Sequence, residues 1–454
     1  MSVARRPICG PLRRNPANPR YFTDDTGRAV YLTGCHTWNN LADMGKADPP
    51  PAFDFTHYLD FLEGLNHNFI RLWAWDMLCT WDERDTVRPF PWARTGPGLA
   101  LDGKPKLDLL KYDDEYFDRL RTRVAEAQER GIYVSVMLFE AWAVFTSNRT
   151  RREMHLFGKD NSVNGMDLAA SEKDGVLRDW ITLDNPRVIA AQEAYVREVV
   201  RAVNEHDNVL YEICNEAGRH SHDWQDHFIA FIRRCEGGLP KRHPVGTTGG
   251  MGTINERLYA SAADWISPEG WAPEGERGGY REGDCTWGEA PHDRGDKVVL
   301  LDTDHIWGIG GHEVWAWKSF CRGYNVLYMD RCDDFPNAFF DHEWWPERSN
   351  LELRREMGRI RGFAERMDLN TATPRNDLSS TGYCLARPGH GYLVYQPEGG
   401  PFRVSLEAGE YQYEWHDPST GEASETGTVG AGAGERTFAA PFEGDAVLYL
   451  SAAD

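Results

Sequence analysis

Between residues 30 and 367 the chain alternates short apolar runs with helix-period stretches, and this rhythm limits the fold more than any other feature. The runs are Val30–Gly34, Phe69–Trp75, Ile132–Phe139, Val209–Cys214, Pro244–Thr248, Asp264–Trp271, Lys297–His305 and Tyr324–Asp330. Most are rich in β-branched and aromatic residues, the pattern of a strand covered on both faces. The stretches between them carry helix signals. Asp113 to Arg130 is amphipathic and stops before Gly131, placed as a C′ glycine. Asn185-Pro186 offers a cap and an N1 proline, and Val196, Val199, Val200 and Val203 then mark one buried face. Eight strands alternating with helices predict an α/β fold, a (β/α)8 TIM barrel with insertions. A doubly wound sheet would need a glycine-rich phosphate turn after its first strand, and Thr33-Gly34-Cys35-His36 is not one. Two long segments, residues 76–112 and the stretch from Glu140 to about residue 182, interrupt the barrel; insertions of that length usually serve function.

After residue 372 the helical period stops. Short alternating strands follow: Gly382–Ala386, Tyr392–Tyr395, Phe402–Leu406, Tyr411–Trp415 and Ala446–Leu450, separated by turns. These predict a small antiparallel β-sandwich. The expected organisation is a barrel over 1–372, led by a hairpin with its turn at Asp25–Gly27, and a sandwich over 373–454 packed against it.

The charge balance narrows the partners. Lys plus Arg is 50 and Asp plus Glu is 71, a formal charge of −21, which opposes nucleic acid and anionic membrane surfaces and suits a neutral or cationic ligand. The expected partner is a carbohydrate, with no cofactor. Seventeen tryptophans are many; most fill core, but indoles at strand ends can stack on sugar rings. No run of 18 apolar residues suggests a membrane span, and Met1–Gly10 lacks a signal-peptide core. Nine cysteines without a CxxC pair agree with a reducing cytoplasm, the expected location.

The chemistry centres on Val209-Leu-Tyr-Glu-Ile-Cys-Asn-Glu-Ala-Gly218. A buried strand ends there at Asn215 and Glu216. In a parallel barrel, side chains at the C-terminal strand ends face the reaction site. A carboxylic acid beside an amide that can bond a substrate hydroxyl suits general acid/base work on a glycosidic bond. Such a site needs a second carboxylate, and strand seven, across the barrel, ends in Asp302 and Asp304. Alternation puts these two on one strand face. Asp304 lies nearer the rim and is the expected nucleophile, with Asp302 supporting it; the reverse order stays open. Candidate substrate-binding groups ring the same end: His36, Trp38 and Asn39 after strand one; Arg71, Trp73 and Trp75 alternating along strand two; Glu140; Glu269 and Trp271; His305, Trp307 and Asp330. Each one alone could equally serve packing or an ion pair. A metal-dependent hydrolase using His36, Asp302, Asp304 and His305 competes, but there is no HxH after strand one, no HExxH and no zinc-spaced cysteine cluster. The expectation is no metal.

The chain resembles the retaining glycoside hydrolases of clan A. The resemblance rests on Asn215-Glu216, on Tyr31-Leu-Thr-Gly-Cys-His-Thr-Trp-Asn-Asn40 and on Asn68-Phe-Ile-Arg-Leu-Trp73. More narrowly it is similar to the cellulase-like and apiosidase-like barrels, which are often followed by a sandwich labelled collagen-binding, similar to residues 376–451. The resemblance implies Glu216 as acid/base and a carboxylate nucleophile after strand seven. The clan's nucleophile is normally Glu, whereas here Asp stands, and strand eight ends in Met329-Asp330 without the clan's Trp. The implied activity is cleavage of a glycosidic bond; the long loops after strands two and three should wall the pocket, which favours exo action on a short glycoside. A non-catalytic carbohydrate-binding protein with a degenerate barrel is the alternative.

Overall fold

The computed structural model describes residues 7–145, 152–270, 293–306, 311–329 and 350–453. Eight parallel strands form one sheet: β1 (Gly34–His36), β2 (Phe69–Leu72), β3 (Tyr133–Glu140), β4 (Val209–Asn215), β5 (Val245–Thr248), β6 (Trp265–Ser267), β7 (Val298–Asp302) and β8 (Asn325–Met329). Hydrogen-bonded neighbours run β1-β8-β7-β6-β5-β4-β3-β2, the order of a barrel opened at one seam. Helices follow the strands: α1 (Phe55–Gly64), α2 (Asp114–Glu129), α3 (Pro186–Val203), α4 (His222–Glu236), α5 (Asn255–Ala260), α6 (Glu313–Cys321) and α7 (Leu351–Arg366). This is the expected TIM barrel.

The β1–β2 seam closes without a ladder. Asn68 N donates to Thr33 O at 3.0 Å, and the Asn68 side chain ties both strands by accepting from Thr33 N at 3.0 Å and donating to Tyr31 O at 2.9 Å. The backbones approach so closely that a Cβ on Gly34 would lie 1.9 Å from Phe69 O. Only glycine fits there. Gly34→Ala is therefore expected to cost about 3 kcal/mol, read from the urea midpoint at unchanged slope.

Local signals explain the helices. Asp113 and Asn185 cap α2 and α3 through their side chains, and Pro186 opens α3. The four valines named above are fully buried, each contributing roughly 1.5–3 kcal/mol over an exposed position.

Some expectations shift. Val30–Gly34 is not the first barrel strand: Ala29–Val30 pairs with Phe22–Thr23 in a three-stranded antiparallel sheet, and β1 begins at Gly34. The apolar run continues through both elements, so composition did not mark the break. The insertion at 76–112 is mostly built structure, including a ribbon of Trp92–Leu99 on Pro105–Tyr112. The second insertion carries the Trp142–Phe145 turn of helix and the short pair Glu172–Lys173 and Val176–Leu177.

Beyond the barrel, a six-stranded antiparallel sheet is ordered Thr373–Pro374, Cys384–Arg387, Gly391–Gln396, Ala446–Ala452, Gly409–Asp417, Glu422–Ala431. A second pair, Phe402–Leu406 and Gly434–Phe438, completes the sandwich. Period-two alternation gives the large sheet two apolar faces. Cys384, Ala386, Tyr392 and Val394 join Phe402, Val404 and Trp415 in the sandwich core. Their neighbours Leu385, Leu393, Tyr395 and Val447 join the barrel core. The seam also holds a buried polar knot. Glu356 of α7 accepts from Trp317 Nε1 of α6 at 2.9 Å and meets His416 Nε2 of the sandwich at 3.0 Å. No helix among the described residues is long and apolar enough to cross a membrane.

Candidate active site

Arg71 lies beneath the C-terminal mouth of the barrel, 2 % exposed. A guanidinium has five N–H hydrogens in a fixed fork, and all five are matched here. Nε and Nη2 grip Glu212 at 2.9 and 2.6 Å. Nη2 also donates to Asn215 Oδ1 at 2.7 Å. Nη1 donates to Asp302 at 3.1 Å and to Asp304 at 2.9 Å. Burial works against the charge, but the three carboxylates outweigh it and hold the guanidinium protonated well above its ordinary range. The cation also stands 4.8 Å from the Trp73 ring centroid.

The two strand-seven acids have different surroundings. Asp302 ends β7, is fully buried and is saturated. One oxygen takes Arg71 and His36 Nε2, the latter at 2.8 Å, and the other caps Asp304 N at 3.0 Å. Trp73 Nε1 has only a hydrogen to give, so His36 Nδ1 accepts it at 3.0 Å and Nε2 donates to Asp302. Burial alone would raise the Asp302 carboxyl, but His36 and Arg71 hold it well below the usual range. Asp304 is not on the strand, as alternation required. It sits in the 3₁₀ turn Thr303–His305, so the turn rather than the pleat carries it to the cavity. Burial raises its carboxyl, Arg71 pulls it back, and the Asp302 charge raises it again.

Glu216 follows β4 with φ of +51°, a left-handed conformation that costs a non-glycine residue energy. The kink turns its side chain beside Gly250, where a Cβ would stand 2.7 Å from Glu216 Cγ. Glu216 makes no side-chain hydrogen bond among the described residues. Burial, followed by the charge of Asp304, raises its carboxyl well above the ordinary value.

Glu216 and Asp304 line one cavity of about 290 Å³. Trp38, Trp73, Trp75, Trp81 and Trp142 wall it. Trp81 joins the wall together, its ring 4.2 Å from Trp38, 5.3 Å from Trp75 and 5.6 Å from Trp142 between centroids. Asn215 is clamped: its carbonyl takes Arg71 and, at 3.1 Å, His305 Nε2, while its amide donates to Glu140 Oε1 at 3.2 Å. Burial pushes His305 down to about 3, and Ser267 sits 2.7 Å from its Nδ1.

Of the expected binding residues, Trp38, Trp73, Trp75, Glu140, Asn215, Glu269 and His305 reach the cavity wall. Arg71, His36 and Asp302 lie behind it. Asn39 is buried and does not line it. Arg71, Trp73 and Trp75 do not share a strand face, because β2 stops at Leu72. Trp271, Trp307 and Asp330 lie outside the described residues. Glu212 was missed. Its signal was a lone acid inside an apolar strand, which demands a buried cation. Trp81 and Trp142 were also missed, since they come from the two insertions, where no period places a side chain. Among the described residues no group of three or more His, Cys, Asp or Glu is placed to hold a metal ion. No disulfide joins any of the seven described cysteines to another.

Buried acids should make stability depend on pH. Burial raises Asp76 and Asp293 to about 7 and Glu140 to about 8. A carboxyl raised on folding stabilises fully below its unfolded value and loses that contribution as pH climbs through the folded value. Burial depresses His155 and His305 to about 3, which stabilises above the free value of 6.5 and is lost below it. The two effects oppose each other in acid, and only the carboxyl effect operates above neutrality. The thermal midpoint is expected to fall between pH 6.5 and 8.5, measured by differential scanning calorimetry at fixed ionic strength.

Comparison with known proteins agrees with the fold. The family described as "Putative collagen-binding domain of a collagenase" matches residues 375–451. No curated protein matches the chain. Among solved structures, the chain is similar to a glycoside hydrolase at 12% identity and TM-score 0.61, covering 98% of this chain and 97% of that one. It is similar to a glycoside hydrolase family 5 protein from Bacteroides vulgatus at 13% identity and TM-score 0.62, covering 98% and 94%. It is also similar to a family 5 mannosidase from Rhizomucor miehei, at 12% identity and TM-score 0.50, covering 80% and 98%. The likeness is one of fold, and in the first two matches it extends over 98% of this chain.

Proposed function

We propose that this protein is a retaining glycoside hydrolase, with Glu216 as acid/base and Asp304 as nucleophile. The observation that carries the reading is the contrast between two carboxyl groups on one indole-walled cavity. Asp304 has Arg71 at 2.9 Å; among the described residues no cation is bonded to Glu216. A proton shared by the pair therefore resides on Glu216, as the two roles require. Glu216 gives that proton to the glycosidic oxygen as the C–O bond breaks, and an Asp304 oxygen bonds the anomeric carbon. Glu216, now a carboxylate, takes a proton from water, whose oxygen displaces Asp304 and restores both groups.

Asp302 is unsuited to attack, because its oxygens are already committed to Arg71, His36 and the Asp304 amide. It positions Asp304 and His36. The cavity is near the small end of ligand sites, about 300 Å³, and the tryptophans of the insertions wall it. That supports exo action on a short neutral glycoside over an open polymer cleft. The sandwich turns an apolar face to the barrel, which supports a packing role for it.

The test is a panel of aryl glycosides, pentofuranosides included, with the anomer of the first product followed by NMR. Release of aryl alcohol with retained configuration is expected. Ligand binding without turnover of any panel member would instead mark a degenerate, non-catalytic barrel.

A further inference from the structure

The reading above leaves Glu140 without a task, yet its setting is unusual. It ends β3, is 2 % exposed and lines the cavity beside Asn215. All its described hydrogen bonds fall on one oxygen: Oε1 accepts from Trp142 N at 2.8 Å and from Asn215 Nδ2 at 3.2 Å. Among the described residues Oε2 has no partner, and no Lys or Arg bonds to either oxygen. A buried carboxyl that lines a cavity and has its described hydrogen bonds on one oxygen leaves the other oxygen for a ligand group.

We propose that Glu140 is a specificity-determining residue of the sugar subsite, its Oε2 carrying a hydrogen that it donates to one hydroxyl of the bound glycone. This rests on the glycoside hydrolase reading. Two donors on Oε1 leave the hydrogen to Oε2, so the group presents a fixed donor where an ionised carboxylate would present only acceptors. Burial pushes the carboxyl up to about 8, which keeps that hydrogen at neutral pH. The Asn215 bridge links this contact to the acid/base segment, so a sugar lacking the hydroxyl leaves a polar group unpaired in a closed site.

The test uses the best aryl glycoside of the panel, its mono-deoxy derivatives, and the Glu140→Gln and Glu140→Ala variants. Gln keeps a donor on nearly the same shape, so kcat/KM should stay within about threefold of wild type; Ala should lose roughly 10- to 100-fold. One deoxy substrate should lose a similar factor with wild type and little more with Glu140→Ala, which a merely structural role would not produce. Should Ala not fold, Gln alone decides: a loss above about 30-fold means the ionised carboxylate was needed and overturns the proposal. Turnover in which every deoxy substrate loses equally in wild type and Ala also overturns it, leaving the hydrolase reading intact. A wild-type protein inactive on the whole panel overturns that reading, and this one with it.

Discussion

Glu216→Gln is expected to lower kcat by roughly 10²–10⁴-fold while the protein stays folded. Among the described residues the side chain makes no hydrogen bond that the amide could break, and burial favours the neutral form of the acid. The loss should be larger for glycosides with poor leaving groups, which need the proton most. The pH profile carries a second signature. On the proposed roles, the wild-type alkaline limb reports loss of the proton from Glu216, whose carboxyl lies well above its ordinary value, so activity should extend to higher pH than an ordinary carboxyl allows and then fall. In Glu216→Gln that limb should vanish, while the acid limb, set by protonation of Asp304, remains. Unchanged kcat in this variant, across good and poor leaving groups, would remove Glu216 from the chemistry.

Arg71→Lys should be the most damaging conservative change in the protein. One cation answers Glu212, Asp302 and Asp304 through a fork in which every N–H is used. An ammonium has three donors and no fork, so at least one buried carboxylate loses its partner. Breaking a buried pair in this way costs about 3–5 kcal/mol, and here the effects reach the site. Asp304 loses the group that opposes its rise in pKa, so the acid limb should move to higher pH as well. Both effects are measurable, the first by urea unfolding and the second by a kcat/KM profile. A Lys variant as stable and active as the wild type would show that the carboxylates do not depend on the fork.

The alternation of strand and helix, the composition change near residue 372, and the helix caps at Asp113 and Asn185 are local properties of the chain. Local patterns therefore carried the fold class, the sandwich and the position of Asn215-Glu216 at the end of the fourth strand. They also brought Arg71 and strand seven to the same mouth, because a parallel barrel has only one C-terminal end.

What required tertiary structure was everything measured in ångströms between distant segments. Alternation puts Asp302 and Asp304 on one strand face, with Asp304 nearer the rim. The chain instead leaves the strand after Asp302, and the 3₁₀ turn separates a saturated, buried acid from one on the cavity. Glu212 is a lone acid in an apolar strand, and only the fold brings Arg71, from a strand two places away, against it. Trp81 and Trp142 sit in insertions whose paths follow no period, so only the folded chain could place them against Trp38 and Trp75. The physical division is plain. Hydrogen-bond periodicity and side-chain patterning act over a few residues and can be read in order along the chain. Charge pairing and cavity shape depend on residues hundreds of positions apart, and exist only once packing has closed the barrel.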